Sequence, residues 1–190
     1  MKQFTLIFAL LLSTAIQAQT DDEQLPYYEV PEYSETFTAG TVAARLVDGL
    51  GFRFYWASEG LTDKDLAYQP NDDVRSTEET IDHILDLSYI IVNSTLKKAN
   101  GKIDKSEMTY SQKREQALLN LKTAADILRG SDDISQYKII FGEREIPFWN
   151  QINGPIADAI WHCGQLASFR RTSGNPINPN ISHFNGTVKE

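Results

Sequence analysis

Four stretches of this sequence repeat apolar residues at helical spacing, and no stretch of comparable length alternates as a strand does. That pattern constrains the fold before anything else. Each amphipathic helix has one apolar side, and only other elements of the chain can cover it.

The first helix is expected over residues 37–59, with Phe37, Val42, Leu46, Gly49, Phe52 and Trp56 as its apolar stripe and Gly60 ending it. A polar connection, "LTDKDLAYQPNDD", follows. Ser76 and Glu79 then form a capping box: the serine hydroxyl takes a free backbone N–H, and the glutamate reaches back to the cap. Behind it come Ile81, Ile84, Leu85, Ser88, Ile91 and Val92, and "ANGKIDKSEM" breaks this second helix.

Thr109 and Gln112 make a second capping box. Ala117, Leu118, Leu121, Ala124, Ala125 and Leu128 form the stripe of a third helix, which Gly130 stops. The loop "SDDISQYKIIFGEREIPF" carries a short strand pair around Gly142. The last helix is expected over 147–173, kinked at Pro155, with Gly174 and Pro176 ending it. Four helices joined by one short and two longer connections read as an all-α fold, a four-helix bundle. The length of 190 residues suits one domain, here 37–174.

The ends differ from the middle. Residues 1–18 combine Lys2, an apolar run from Phe4 to Leu12 and small residues before Gln19. The run is far short of the roughly 20 residues of a membrane helix and reads as a secretory signal cut after Ala18. The mature chain is then exported to the periplasm or the medium, with no membrane span left. No cysteine lies near the cut to take a lipid. Residues 19–36 hold acids, two prolines and no basic residue. They form either an extended lead packed through Tyr27, Tyr28 and Tyr33, or a loose linker. Residues 175–190 are a tail.

The net charge of −8, one unit more negative without Lys2, repels phosphate backbones and argues against nucleic acid as a partner. A single cysteine, Cys163, makes no internal disulfide, so the core holds by packing. Partners left open are a small molecule and a second copy of the chain.

Chemistry concentrates in "ADAIWHCGQLASFRR". Asp158, His162, Gln165 and Phe169 share one helix face, and residues four apart lie roughly 5–6 Å apart at Cβ, close enough to hold one ion together. The same pair also makes an ordinary surface hydrogen bond. His83 stands beside Ile84 on the second helix, either at the edge of the core or facing the last helix. Bundles build metal sites from inward side chains on facing helices, and two imidazoles with one carboxylate leave coordination positions open. Cys163 is turned about 100° from His162 and reads as core. Trp161 reads as packing, Arg170 and Arg171 as cations suited to a helix C-terminus, and His183 as a tail residue without a partner. Asn93, Asn180 and Asn185 match the glycosylation pattern.

These segments together resemble a known family. "LTDKDLAYQPNDDVRSTEETIDHILDLS" is similar to the segment of the DinB-like (YfiT-like) family that leads into a metal-binding histidine, which falls on His83. "ADAIWHCGQLASFRRTSGNP" resembles the family's final-helix segment, where two histidines four apart precede "GQ" and a turn. The second of these falls on His162, followed by Gly164 and Gln165; the first falls on Asp158, where this chain departs from the pattern. The resemblance spans about 37–176.

It implies a four-helix bundle holding a divalent ion, often zinc or nickel, on His83, Asp158 and His162. Some members are thiol-dependent transferases or isomerases, and most are cytoplasmic, whereas this chain reads as exported. An aspartate in place of a histidine makes the site harder and more anionic, which favours manganese or iron over zinc. Three functions follow as expectations: a metal-dependent transferase or hydrolase, a non-enzymatic metal- or partner-binding bundle, or a relic without metal. Asp82, Asp86 and Glu79 lie near His83 in sequence, without a role assigned to any as a base.

Overall fold

A computed structural model describes residues 24–189 of the chain. The signal expected at 1–18 lies outside the described residues, as do 19–23 of the acidic lead.

The helices are α1 (Ala39–Ser58), the single turn α2 (Asp63–Leu66), α3 (Thr77–Thr95), α4 (Tyr110–Arg129), the short α5 (Trp149–Gln151) and α6 (Ala157–Ser173). The four long ones pack together, α1 and α3 each lying against both α4 and α6. Two small antiparallel hairpins complete the fold. Strands β1 (Ile139–Phe141) and β2 (Arg144–Ile146) turn at Gly142, whose φ of 57° suits glycine. Strands β3 (Ile181–Ser182) and β4 (Thr187–Val188) lie in the segment expected as a tail.

Helix starts follow the side chains that satisfy their free N–H groups. Ser76 and Glu79 cap α3, the Ser76 N–H donating to Glu79 Oε2 at 2.8 Å. Thr109 and Gln112 cap α4 in the same way. Thr38 with Thr41 caps α1, and Thr62 with Asp65 caps α2. The expected stripes of α3 and α4 are buried throughout.

The stripe assigned to α1 is wrong in its first half: Phe37, Val42 and Leu46 are exposed. The core of α1 is Ala43, Ala44, Val47, Leu50 and Phe54. This helix is covered by α4, α6 and the lead, so burial runs round most of its circumference and no single stripe marks the inside.

The lead takes the packed form through two of its three tyrosines. Tyr27 is buried with its ring against Gly51, where a Cβ would sit 2.4 Å from ring atoms, so the close approach requires glycine. Tyr28 meets Trp56 at 5.1 Å between ring centroids. Tyr33 is exposed beside Arg45. The Val30 N–H donates to Gly186 O at 2.8 Å, joining the lead to the tail hairpin.

At Pro155 the chain bends through a π-helical turn, Ile152–Ile156, with Gly154 at φ −99° and ψ −109°. Proline has no N–H for the helical ladder, and the wider turn absorbs the loss. Asp158 therefore falls in the first turn of α6, where helix dipoles favour a carboxylate.

At its other end α6 closes the C-terminus of α1, whose buried carbonyls need donors. Arg170 Nη1 donates to Trp56 O at 2.8 Å and Ala57 O at 3.3 Å, and Arg170 Nε donates to Asn175 O at 2.7 Å. From α4, Arg114 Nη2 donates to Tyr55 O at 3.3 Å and Arg114 Nε to Ser58 Oγ at 3.0 Å, while the Tyr110 hydroxyl donates to Ser58 O. Arg170 is thus a buried clamp between two helices and not the exposed cation its position near a helix end suggests. Asp65, also buried, accepts from Ser173 Oγ, from Asn175 Nδ2 at 2.8 Å and from the Thr62 N–H at 2.9 Å. Burial alone would raise its pKa, but these donors hold it far below the usual carboxylate range.

Candidate metal centre

Fully buried Ile81, Ile84 and Leu85 fix the rotation of α3, and His83, one residue from Ile84, is left on the side that meets α6. On α6, Asp158 and His162 stand one turn apart on the facing side.

The three side chains converge. His83 Nε2 lies 3.1 Å from Asp158 Oδ2, and His162 Nε2 lies 3.4 Å from Asp158 Oδ1. The imidazole rings are perpendicular, with centroids 4.6 Å apart. One donor atom from each residue falls within 4.8 Å of the others. Two ligand atoms about 2.1 Å from a tetrahedral ion stand roughly 3.4 Å apart, so the spacing suits a single small divalent cation.

Protonation sharpens the picture. His162 Nδ1 lies 2.7 Å from Gln165 Oε1. Which ring nitrogen carries the proton decides whether the other one donates or offers a lone pair. With the proton on Nδ1, Nε2 would turn a lone pair toward the Asp158 carboxylate, and a proton or a metal ion would balance that contact. Gln165, three residues on, is thus the side-chain partner of His162 Nδ1, and Asp158 stands beside the other ring nitrogen. Residues three apart share a helix face, so the spacing carried this signal. Burial pushes the pKa of His83 down, against the raising effect of Asp158, and Arg75 adds to the lowering. A neutral His83 is the form that binds metal.

The cluster is open on one side. The Asp158 side chain is 42% exposed, against 11% for His162. An ion held there keeps coordination positions facing water, as in sites that act on a ligand and unlike closed structural ones. Phe169, further along the same face of α6, meets the ring of Tyr68 at 5.8 Å. Trp161, expected in the core, is 73% exposed.

The other candidates are occupied elsewhere. Cys163 is buried on the far side of α6, its thiol pKa pushed up by burial to about 12, which suits an inert core residue. Glu79 caps α3, Asp82 pairs with Lys113 at 2.9 Å and Asp86 with Lys105 at 2.7 Å. None of the three is thereby presented as a base. Asn93 donates to Asn100 Oδ1 at 3.1 Å. His183 lies in the tail hairpin beside Phe52, 5.9 Å between ring centroids, away from the triad.

No family model, curated protein or solved structure matches this chain. Within the described residues, the molecule is a mainly helical domain whose four long helices bring a His–His–Asp group together.

Proposed function

We propose that this protein is an exported, DinB-like four-helix bundle that binds one divalent ion through His83, Asp158 and His162. The observation that carries the reading is the convergence of His83, Asp158 and His162, each with one donor atom within 4.8 Å of the others. His83 Nε2 and His162 Nε2 flank the Asp158 carboxylate at 3.1 and 3.4 Å. A cation placed between them has a three-ligand set.

One carboxylate between two imidazoles carries one more negative charge than three histidines. Manganese and iron therefore gain on zinc and nickel. Such an ion supplies a Lewis acid that lowers the pKa of a water or thiol. The chain's own part is to hold the ligands, to fix the tautomer of His162 through Gln165 and to leave the Asp158 side exposed. That exposure favours a metal-dependent transferase or hydrolase acting on a small molecule over a sealed metal-binding scaffold.

The test is metal analysis of protein recovered from the periplasm or medium, with its intact mass. The reading expects a mass starting at Gln19 and about one equivalent of a divalent transition metal per chain. Protein that keeps residues 1–18 sinks the export, and protein free of metal after purification without chelators sinks the ion.

A further inference from the structure

Across α6 from the triad lies a second opening, a groove of about 310 Å3 between the tail and the helix. Ile160, Cys163, Gly164 and Ala167 fall about half a turn round from Asp158 and His162, so the two sites are separated by the helix itself. The groove is largely apolar, with Ile160 and Ile177 on its walls. Its polar lining comes from two side chains, Arg53 of α1 and His183 of the tail hairpin.

Arg53 of α1 is the cation on this groove. Its Nη1 donates to Gly49 O of its own helix at 2.8 Å, and it belongs to none of the ion pairs among the described residues. The half-buried guanidinium therefore keeps donors free on the groove side, where an anion can exchange for water in a charge-assisted hydrogen bond. Over Gly164 the space is open: a Cβ built there meets nothing within 4 Å.

We propose that this groove binds a small organic monocarboxylate, its anionic head on Arg53 and His183 and its short apolar body along Ile160, Ile177 and Gly164. The charge matches a monoanion. Arg53 supplies one positive charge, and His183, whose pKa is pushed down by burial and by Arg53, adds a neutral N–H donor. A phosphate dianion would leave a charge unbalanced in an apolar groove. The tail segment thereby has a role that its length alone does not suggest: it supplies one wall and one donor.

The test uses chelator-treated mature protein, so that no ion on the triad takes the carboxylate, and follows the three histidine rings by NMR during titration with hexanoate. The His183 signals move with a dissociation constant of about millimolar or tighter, while those of His83 and His162 stay in place. Hexanamide, which lacks the charge, and acetate, which lacks the apolar body, each bind at least about tenfold more weakly. Arg53→Gln loses about tenfold in affinity. Gly164→Phe fills the groove and abolishes binding with a thermal transition no lower than the parent's, because a Cβ at that helical position meets nothing within 4 Å. The proposal is overturned if hexanamide binds as well as hexanoate, if Arg53→Gln binds normally, if the triad rings move in place of His183, or if His183 does not move at all.

Discussion

Both ends of α6 are tied to neighbouring helices by polar side chains, and the two ties differ in kind. At the C-terminal end, Arg170 meets Trp56 O, Ala57 O and Asn175 O, and Asp65 meets Ser173, Asn175 and Thr62. Donors face acceptors throughout, and Arg170 and Asp65 at its centre are buried. At the N-terminal end, His83 Nε2 and His162 Nε2 lie 3.1 and 3.4 Å from the Asp158 carboxylate, which is partly open to water. A satisfied polar cluster fixes geometry and has nothing left to bind. A carboxylate between two imidazoles at a half-open seam can take up protons or a metal ion. The first kind is structural, and the second is where the proposed ion would bind.

The largest effect that separates the two regions belongs to the closed one. Arg170→Met keeps the aliphatic stem but leaves the carbonyls of Trp56 and Ala57 without donors, at a cost of about 3 kcal/mol in urea denaturation. Metal affinity should change less than about twofold, since the clamp lies about two turns beyond His162 on α6. A stability loss below about 1 kcal/mol would break the comparison on its structural side.

Next come the proposed ligands. His162→Ala and Asp158→Ala should each weaken metal binding by about a hundredfold, or about 2.7 kcal/mol, in competition with a chelating dye. Their effect on the stability of the metal-free chain should be smaller than that of Arg170→Met. Asp158→Ala within about tenfold of the parent would reduce Asp158 to an orienting partner. Asp158→His should move preference toward zinc. A smaller change is expected at Gln165→Leu, about tenfold in affinity, because the His162 ring loses the acceptor that fixes its tautomer.

The smallest effect is on pH dependence. His83 titrates below its ordinary value of 6.5 in the folded chain, chiefly through burial. Below that value the unfolded chain binds more protons than the folded one, so metal-free stability falls as pH drops from there toward the folded pKa. His83→Phe should flatten this part of the profile, and an unchanged slope would place the titration on other groups.

The sequence was most legible where local chemistry decides the outcome. The boxes at Ser76/Glu79 and Thr109/Gln112 start α3 and α4, and one-sided burial makes their stripes readable. The boxes at Thr38 and Thr62 use Thr41 and Asp65 in place of the usual Glu or Gln, so the standard pattern passes over them. The α1 stripe misleads because α1 is enclosed, and Trp161 misleads because a large aromatic on a helix is taken for core. Arg170 could not be read as buried, since its acceptors are carbonyls far away in sequence, with no acid to mark them. For the triad, spacing brought Asp158 and His162 together; His83 was reached from its place beside Ile84 and the use of facing helices in bundle sites, with the resemblance added, and it meets them across the seam between α3 and α6. Gln165 stood at the right spacing, and only the ring geometry turned it from polar surface into the partner of His162.

The most direct test of the metal claim is a titration of chelator-treated mature protein with Mn2+ and Zn2+, repeated on the His83→Ala/His162→Ala double variant. The account predicts about one equivalent bound per chain, with zinc shifting the Nε2 resonances of His83 and His162 and leaving the Nδ1 proton of His162 in place. The double variant should bind neither ion. Equal binding by the double variant, or no binding by the parent chain at about millimolar metal, would contradict it.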